Sequence, residues 1–314
     1  MYQDDVSEGK QAGIEPAYAL FASGWAVATV IVLVILKSYA YWQTGSTALL
    51  GSLVDSLSDM CISLTMLMAV RLSLKPADET HRHGHGKAEG LAALFQAAFL
   101  AGAGGFLALH ALEKFASPQA VGDHRLGIGV AAVAILLSLL LVCVQNYCLR
   151  RAPSLAVKAD RAHYATDIVL NASVILALVI NMKGGPDWVD PVCGLLIALY
   201  FARTAFVIGK EGSDMLMDRE MPDAVRAHIL SIIESNEEVR GVHDLRTRQS
   251  GMALHISFDV ELEPEQSLRQ AHAVSRELEM ALLADYPNAE IIIHKDPHGD
   301  PHDARHSVEG IHNP

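Results

Sequence analysis

Apolar runs separated by short polar segments fill the first two thirds of the sequence. Three of these runs contain no charged residue and are long enough to cross a bilayer as helices: Ala17–Leu36, Gly90–Leu109 and Leu126–Leu149. Three weaker runs contain one or two charged residues each: Thr47–Val70, Tyr164–Met182 and Pro191–Gly209. The pattern predicts an all-α membrane domain of six transmembrane helices over residues 17–209, preceded by a tail of residues 1–16.

The lysines and arginines of the connecting segments predict the orientation of these helices. The segments after the second and fourth helices hold eight of these residues, whereas the segments on the opposite side hold four. Because basic residues are enriched on the cytoplasmic side, both termini are expected in the cytoplasm. The acidic N-terminal segment MYQDDVSEGK does not have the pattern of a signal peptide.

From residue 210 onward the periodicity changes to that of a small water-soluble domain, residues 210–297. Two segments have apolar residues at helical spacing, and three have the alternation that is typical of strands. In the second predicted strand, MALHISFDVELE, apolar residues alternate with the polar residues from His255 to Glu261. The order αββαβ predicts an α+β domain whose helices cover one face of a small sheet. Residues 298–314 are polar and rich in Gly and Pro, and are expected to be disordered.

Negative charge is concentrated in this soluble region. The chain of 314 residues has a formal net charge of −12 at pH 7, and residues 210–314 contain 21 acidic and 10 basic residues. An acidic domain attracts cations and repels nucleic acids and anionic lipids. No nucleic-acid partner is therefore expected.

Two pairs of ionisable residues within the apolar runs are the main candidates for chemistry. Asp55 and Asp59 in SLVDSLSD, and His163 and Asp167 in HYATD, share an i, i+4 spacing that places both members of a pair on one helix face. Ionisable residues in membrane helices usually face the interior, and three carboxylates with one imidazole would suit a tetrahedral divalent ion. Helix caps or a structural hydrogen-bond network are the alternative interpretation.

Several motifs resemble those of the cation diffusion facilitators, in particular the bacterial zinc- and iron-efflux type: GSLVDSLSD, PADETHRHGHGKAE, ADRAHYATD, LMDREMPD, HDLRTRQSG and IIIHKDP. The resemblance extends from about Ala17 to Pro297. It implies six transmembrane helices, a cytoplasmic domain with a ferredoxin- or metallochaperone-like fold, a homodimer in the inner membrane, and exchange of metal for protons. The implied cargo is Zn²⁺, with Cd²⁺ and Fe²⁺ as further candidates. The implied transport site is Asp55, Asp59, His163 and Asp167.

The resemblance implies two further metal sites. Asp78, His81 and His85 match the cytoplasmic loop site of the family. A binuclear site that bridges two subunits, where Zn²⁺ would be regulatory, is matched by His243, Asp259, His272, His294 and Asp296. Relatives have a histidine at the position of Asp259. Aspartate also binds zinc, and His255 on the same strand face is an alternative ligand.

A membrane-anchored metal sensor or scaffold that dimerises without transport is the competing interpretation. Such a protein would need ligands only in its soluble domain, so the intramembrane residues favour a transporter. The sequence contains no HExxH, GxSxG or P-loop motif and no Cys/His pair arranged for nucleophilic catalysis, so it does not indicate an enzyme. The four cysteines form no CxxC motif and are expected to be small core residues.

Overall fold

The computed structural model describes residues 16–44, 47–116, 124–182, 186 and 188–299. The two predicted tails, residues 1–16 and 298–314, lie almost wholly outside the described residues. The chain divides into two compact units, with the boundary between Asp214 and Met215.

Within the described residues, the first unit consists of six long helices: α1 (Pro16–Thr44), α2 (Thr47–Ser73), α3 (Ala88–Ala116), α4 (His124–Leu149), α5 (Leu155–Met182) and α6 (Val189–Leu216). The shortest contains 26 residues, which corresponds to about 39 Å of helix and exceeds the hydrocarbon core of about 30 Å. Five of the six are apolar enough over their length to cross a membrane. The helix that does not meet this criterion is α5, whose first half contains several charged residues. The prediction of a helical membrane domain is confirmed.

Helix α5 begins at Leu155, well before the apolar run that starts at Tyr164. The additional turns contain Lys158 and Arg161, whose charged groups have partners on other helices. Lys158 Nζ lies 2.6 Å from Glu211 Oε1 of α6, and Arg161 donates a hydrogen bond of 2.7 Å to Asn146 of α4. Because these partners satisfy the charged groups, the helix continues through a segment that reads as polar in the sequence.

The carboxylate of Glu89 joins three helices at one end of this unit. Glu89 lies in the first turn of α3 and is fully buried. It accepts hydrogen bonds from the Ser154 hydroxyl and from the backbone N–H groups of Leu155 and Ala156 at the start of α5, at 2.8, 2.6 and 3.3 Å. It also accepts one of 2.9 Å from the Ser73 hydroxyl at the end of α2. Since a helix N-terminus has unpaired N–H groups and a positive dipole end, this carboxylate stabilises the start of α5.

The second unit has the predicted order αββαβ: α7 (Asp223–Glu234), β1 (Gly241–Ser250), β2 (Ala253–Leu262), α8 (Leu268–Asp285) and β3 (Ala289–Pro297). The three strands form one sheet in the order β1-β2-β3, with β2 antiparallel to β1 and parallel to β3. The prediction of a small α+β domain is confirmed.

Alternation along β2 separates the two faces of this sheet. Ile256, Phe258, Val260 and Leu262 are buried and pack with apolar residues of α7 and α8 to form the core. The polar residues between them lie on the opposite face. Across that polar face the strand register places His243 opposite Asp259, and Asp259 opposite His294, in one row over three strands.

Candidate metal centres

A group of potential metal ligands lies between α2 and α5 of the membrane unit. His163 Nε2 of α5 is 3.1 Å from Asp59 Oδ1 of α2 and 3.6 Å from Asp167 Oδ2 of its own helix. One ligand atom from each of these residues falls within 4.8 Å of the other two. His163 is only 4% exposed, so the charges interact in a setting that water screens weakly.

The fourth predicted ligand of this group is Asp55. Its backbone belongs to α2, one helical turn before Asp59, whereas its side chain lies outside the described residues. The basis for including it is the i, i+4 spacing to Asp59 in the sequence. The participation of Asp55 stays a prediction.

Sequence reasoning missed a buried carboxylate beside this group. Asp160 lies on α5, one turn before His163, and is 1% exposed. Its spacing to His163 and Asp167 places all three residues on one helix face. This spacing is the feature of the sequence from which Asp160 could have been predicted to lie near the ligands. The flanking charges of Lys158 and Arg161 made this segment resemble the polar end of a helix instead.

The second group lies in the segment between α2 and α3. Asp78 Oδ1 is 3.4 Å from His81 Nδ1, Asp78 Oδ2 is 3.4 Å from His85 Nε2, and the two imidazole rings are 4.5 Å apart. All three residues were predicted as loop ligands, and the structure brings them together. Gly84 has a φ of +75°, a backbone conformation that glycine adopts without strain, and allows the turn between the two histidines.

Asp78 also has an internal cationic partner. Lys75 Nζ lies 2.8 Å from Asp78 Oδ2, and the backbone N–H groups of Thr80 and His81 donate to Oδ1 at 3.0 and 2.8 Å. The Lys75 ammonium, followed by the His81 N–H and the Thr80 hydroxyl, holds the pKa of Asp78 well below its usual range. The carboxylate is therefore ionised at neutral pH, but a metal ion would have to compete with Lys75 for Oδ2.

The third group occupies the polar face of the sheet in the soluble unit. His243 Nε2 is 3.3 Å from Asp296 Oδ2, and His243 Nδ1 is 3.9 Å from Asp259 Oδ2. His294 Nε2 lies 3.1 Å from the other carboxylate oxygen of Asp296. The register shift between His243 and Arg246 is a β-bulge, a feature that re-aims side chains at such sites.

Two histidines considered with this group lie elsewhere in a single chain. His272 is exposed on α8 and does not join the cluster of His243, Asp259 and Asp296. His255 pairs with Glu290 of β3, with Nδ1 2.9 Å from Oε2. It lies four residues before Asp259 on β2, about 13 Å along the strand, and so does not replace that residue. The role of His272 as a ligand stays a prediction.

Comparison with known proteins agrees with this architecture. The family described as "Cation efflux transmembrane domain" matches residues 25–217, and that described as "Cation efflux protein, cytoplasmic domain" matches residues 221–298. The cation-efflux pump FieF of Salmonella arizonae is 41% identical over 274 residues, which are 87% of this chain and 90% of the relative. FieF of Yersinia pestis is 41% identical over 287 residues, which are 90% of this chain and 95% of the relative.

Two solved structures each match about a quarter of the chain. The metal-bound C-terminal domain of the CzcD transporter from Thermotoga maritima is 24% identical and covers 26% of this chain and 98% of its own, with a TM-score of 0.24. The structure titled "Mode of Action of a Putative Zinc Transporter CzrB (Zn form)" is 28% identical and covers 27% of this chain and 99% of its own, also with a TM-score of 0.24.

The apolar helices and the matches to cation-efflux pumps define a membrane transporter of metal cations rather than an enzyme. The chain belongs to the cation efflux family, the cation diffusion facilitators, and combines the transmembrane and the cytoplasmic domain of that family. The resemblance carried by its sequence motifs is confirmed.

We expect Lys75→Gln to strengthen Zn²⁺ binding at the loop group by about threefold, because the substitution removes an exposed ammonium that competes for Asp78. Titration against a chromophoric chelator would measure this, in a background where alanine replaces His163 and His243 to disable the other two groups. Arg82→Gln is the matched control, since it removes a positive charge from the same loop. Equal affinities for the two variants would show that Lys75 does not compete with the metal.

Proposed function

We propose that the protein exports divalent metal ions from the cytoplasm in exchange for protons, with Zn²⁺ as the main cargo and Cd²⁺ and Fe²⁺ as further cargo. The observation that carries this proposal is the convergence of Asp59, His163 and Asp167 between membrane helices. Carboxylate oxygens and an imidazole nitrogen are zinc ligands, and Asp55 would supply the fourth.

Charge balance provides the coupling to protons. Three ionised carboxylates around a neutral histidine would carry three negative charges, whereas a bound divalent ion leaves one. In a poorly hydrated helix bundle the more negative form is unfavourable, so the ligands take up protons when the metal leaves and lose them when it binds. If the site opens alternately to two compartments of different pH, this exchange drives metal out of the cell.

We further propose a homodimer in the inner membrane, with both termini in the cytoplasm. The excess of basic residues in the segments after α2 and α4 supports this orientation. The match of residues 221–298 to the cytoplasmic domain of the family supports the dimer. In this proposal residues 17–209 transport the metal, residues 210–297 dimerise, and Zn²⁺ at the polar sheet face joins and stabilises the two soluble domains.

A metal-sensing dimer that does not transport is the second candidate function. It would account for the ligands on the soluble unit but not for those between α2 and α5. Metal uptake into proteoliposomes under an imposed pH gradient distinguishes the two, tested separately with Zn²⁺, Cd²⁺, Fe²⁺ and Mn²⁺. Accumulation that depends on the gradient supports export, whereas binding without accumulation supports the sensor.

Asp59→Ala should abolish Zn²⁺ flux while leaving the protein folded, because it removes one of the ligands that α2 contributes. The measurement is zinc uptake into proteoliposomes, with size-exclusion chromatography to verify folding. Cys61→Ala, an exposed position on the same helix, is the matched control and should transport normally. Wild-type flux in Asp59→Ala would exclude the proposed transport site.

His163→Asp should shift selectivity toward harder ions such as Mn²⁺, since it converts the mixed nitrogen and oxygen ligands to oxygen alone. The ratio of Zn²⁺ to Mn²⁺ flux in proteoliposomes measures the shift. If this ratio is the same as in the wild type, selectivity does not depend on the imidazole.

Zinc should raise the melting temperature of residues 210–314 relative to chelator, and Asp259→His should enlarge this shift by several degrees. Histidine is a better zinc ligand there, and a gain of 1 kcal/mol raises the Tm of a domain of this size by about 4–8 °C. Thermal melts and sedimentation measure stability and association. His228→Ala, a surface histidine paired with Asp285, is the control. Identical melts with zinc and with chelator would contradict a metal site on this domain.

A further inference from the structure

A buried polar cluster connects three helices one turn away from the proposed transport site. Gln145 Nε2 of α4 donates a hydrogen bond of 2.7 Å to Asp160 Oδ2 of α5, and Ser63 Oγ of α2 lies 3.4 Å from Asp160 Oδ1. The Ser63 hydroxyl is also 2.8 Å from the Tyr164 hydroxyl. All four side chains are at most 1% exposed, so each polar contact replaces one that water would otherwise make.

This cluster connects the same two helices as the ligand group. Ser63 follows Asp59 by one turn of α2, and Asp160 precedes His163 by one turn of α5. The pair Ser63–Asp160 therefore lies directly beside the pair Asp59–His163. A lateral or rotational shift of α5 against α2 that changed one pair would also change the other.

Tyr164 links the cluster to the imidazole itself. Its ring lies 5.4 Å from the His163 ring in an edge-to-face arrangement, an orientation that aromatic pairs prefer. Phe99 of α3 contacts His163 in a similar edge-to-face geometry at 6.1 Å. The hydroxyl of Tyr164 is held by Ser63, so the ring that packs against His163 is itself fixed by the cluster.

We propose that Asp160 is a positioning residue for metal transport: by holding α5 against α2 and α4, it sets the separation of Asp59 and His163. Among the described residues, Asp160 does not belong to the group whose ligand atoms lie within 4.8 Å of one another. Its role is to accept hydrogen bonds from Gln145 and Ser63 rather than to bind the ion. This inference rests on the proposed transport function and identifies a further residue on which the site depends.

The proposal makes a specific claim about two substitutions. Asp160→Ala removes both hydrogen bonds and should raise the KM for Zn²⁺ in proteoliposomes by about tenfold or more, the usual effect of losing a group that orients metal ligands. Asp160→Asn removes the charge but keeps an oxygen that can accept from Gln145, so it should restore much of the wild-type KM. If charge or direct metal binding were the function of Asp160, Asn would be as damaging as Ala.

Co²⁺ absorption provides a readout of site geometry that a general loss of stability does not change. The spectrum is recorded on the full chain, in a background where Asp78→Ala and His243→Ala remove the other two groups. Asp160→Ala should change the position or intensity of the bands. Ser63→Ala, which removes the α2 partner of both Asp160 and Tyr164, should change them in the same direction and serves as the second test if Asp160→Ala does not fold.

Glu211→Gln is the matched control. It removes a carboxylate of α6 that contacts α5 through Lys158, outside the polar cluster of Asp160, and it should leave both KM and spectrum unchanged. A folded Asp160→Ala or Ser63→Ala protein with wild-type KM and spectrum overturns the inference. An Asp160→Asn protein with the same KM as Asp160→Ala also overturns it.

If Asp59→Ala removes flux while these variants do not, the transport site stands without the positioning role. If Asp59→Ala also behaves as the wild type, both proposals fail.

Discussion

A carboxylate buried among apolar helices needs hydrogen-bond donors or a cation, and the membrane unit depends on how each of its acids meets this need. Glu89 receives four donors from the ends of α2 and α5. Asp160 has Gln145 and Ser63 as partners. Asp59 and Asp167 converge on a single imidazole, that of His163. The first two acids accept hydrogen bonds from uncharged groups of the chain, whereas the last two lie beside the same imidazole, in the group proposed to bind the transported ion.

These acids lie on or next to the contact between α2 and α5, with Glu89 of α3 bridging the two helices at one end. From one end to the other, the contact carries Ser73 with Glu89 and Ser154, then Ser63 with Asp160, and then Asp59 with His163. Polar contacts at successive levels restrict both sliding and rotation of one helix against the other, because a shift leaves several buried groups unpaired at once. The position of the ligand group is therefore a property of the whole contact and not of its own residues alone.

Periodicity was sufficient to predict the elements of the fold but not their partners. The alternation in MALHISFDVELE predicted the two faces of β2, since side-chain direction along a strand is local. The start of α5 could not be predicted in this way, because its charged first turns depend on Glu211 and Asn146, which belong to other helices. In the same way, i, i+4 spacing identified ligand pairs within one helix, whereas the approach of Asp59 to His163 required knowledge of which helices pack together. The register between strands could not be predicted from alternation either. It places His255 beside Glu290 rather than in the row of His243 and Asp259.

The three ligand groups differ in their access to water, and this difference suits different roles in the proposed cycle. Asp78 is half-buried and already paired with the exposed Lys75, so a metal ion there would displace a cation that the chain itself supplies. His243 and Asp296 lie on a half-buried sheet face, where the proposed binding would respond to metal concentration without requiring movement of the membrane helices. Only the group at His163 lies in a setting where weak screening makes charge costly. In the proposed cycle, protons or another cation replace the metal that leaves that group, because burial makes its empty, negatively charged form unfavourable. The two more accessible groups would then bind and release metal independently of protons moving across the membrane.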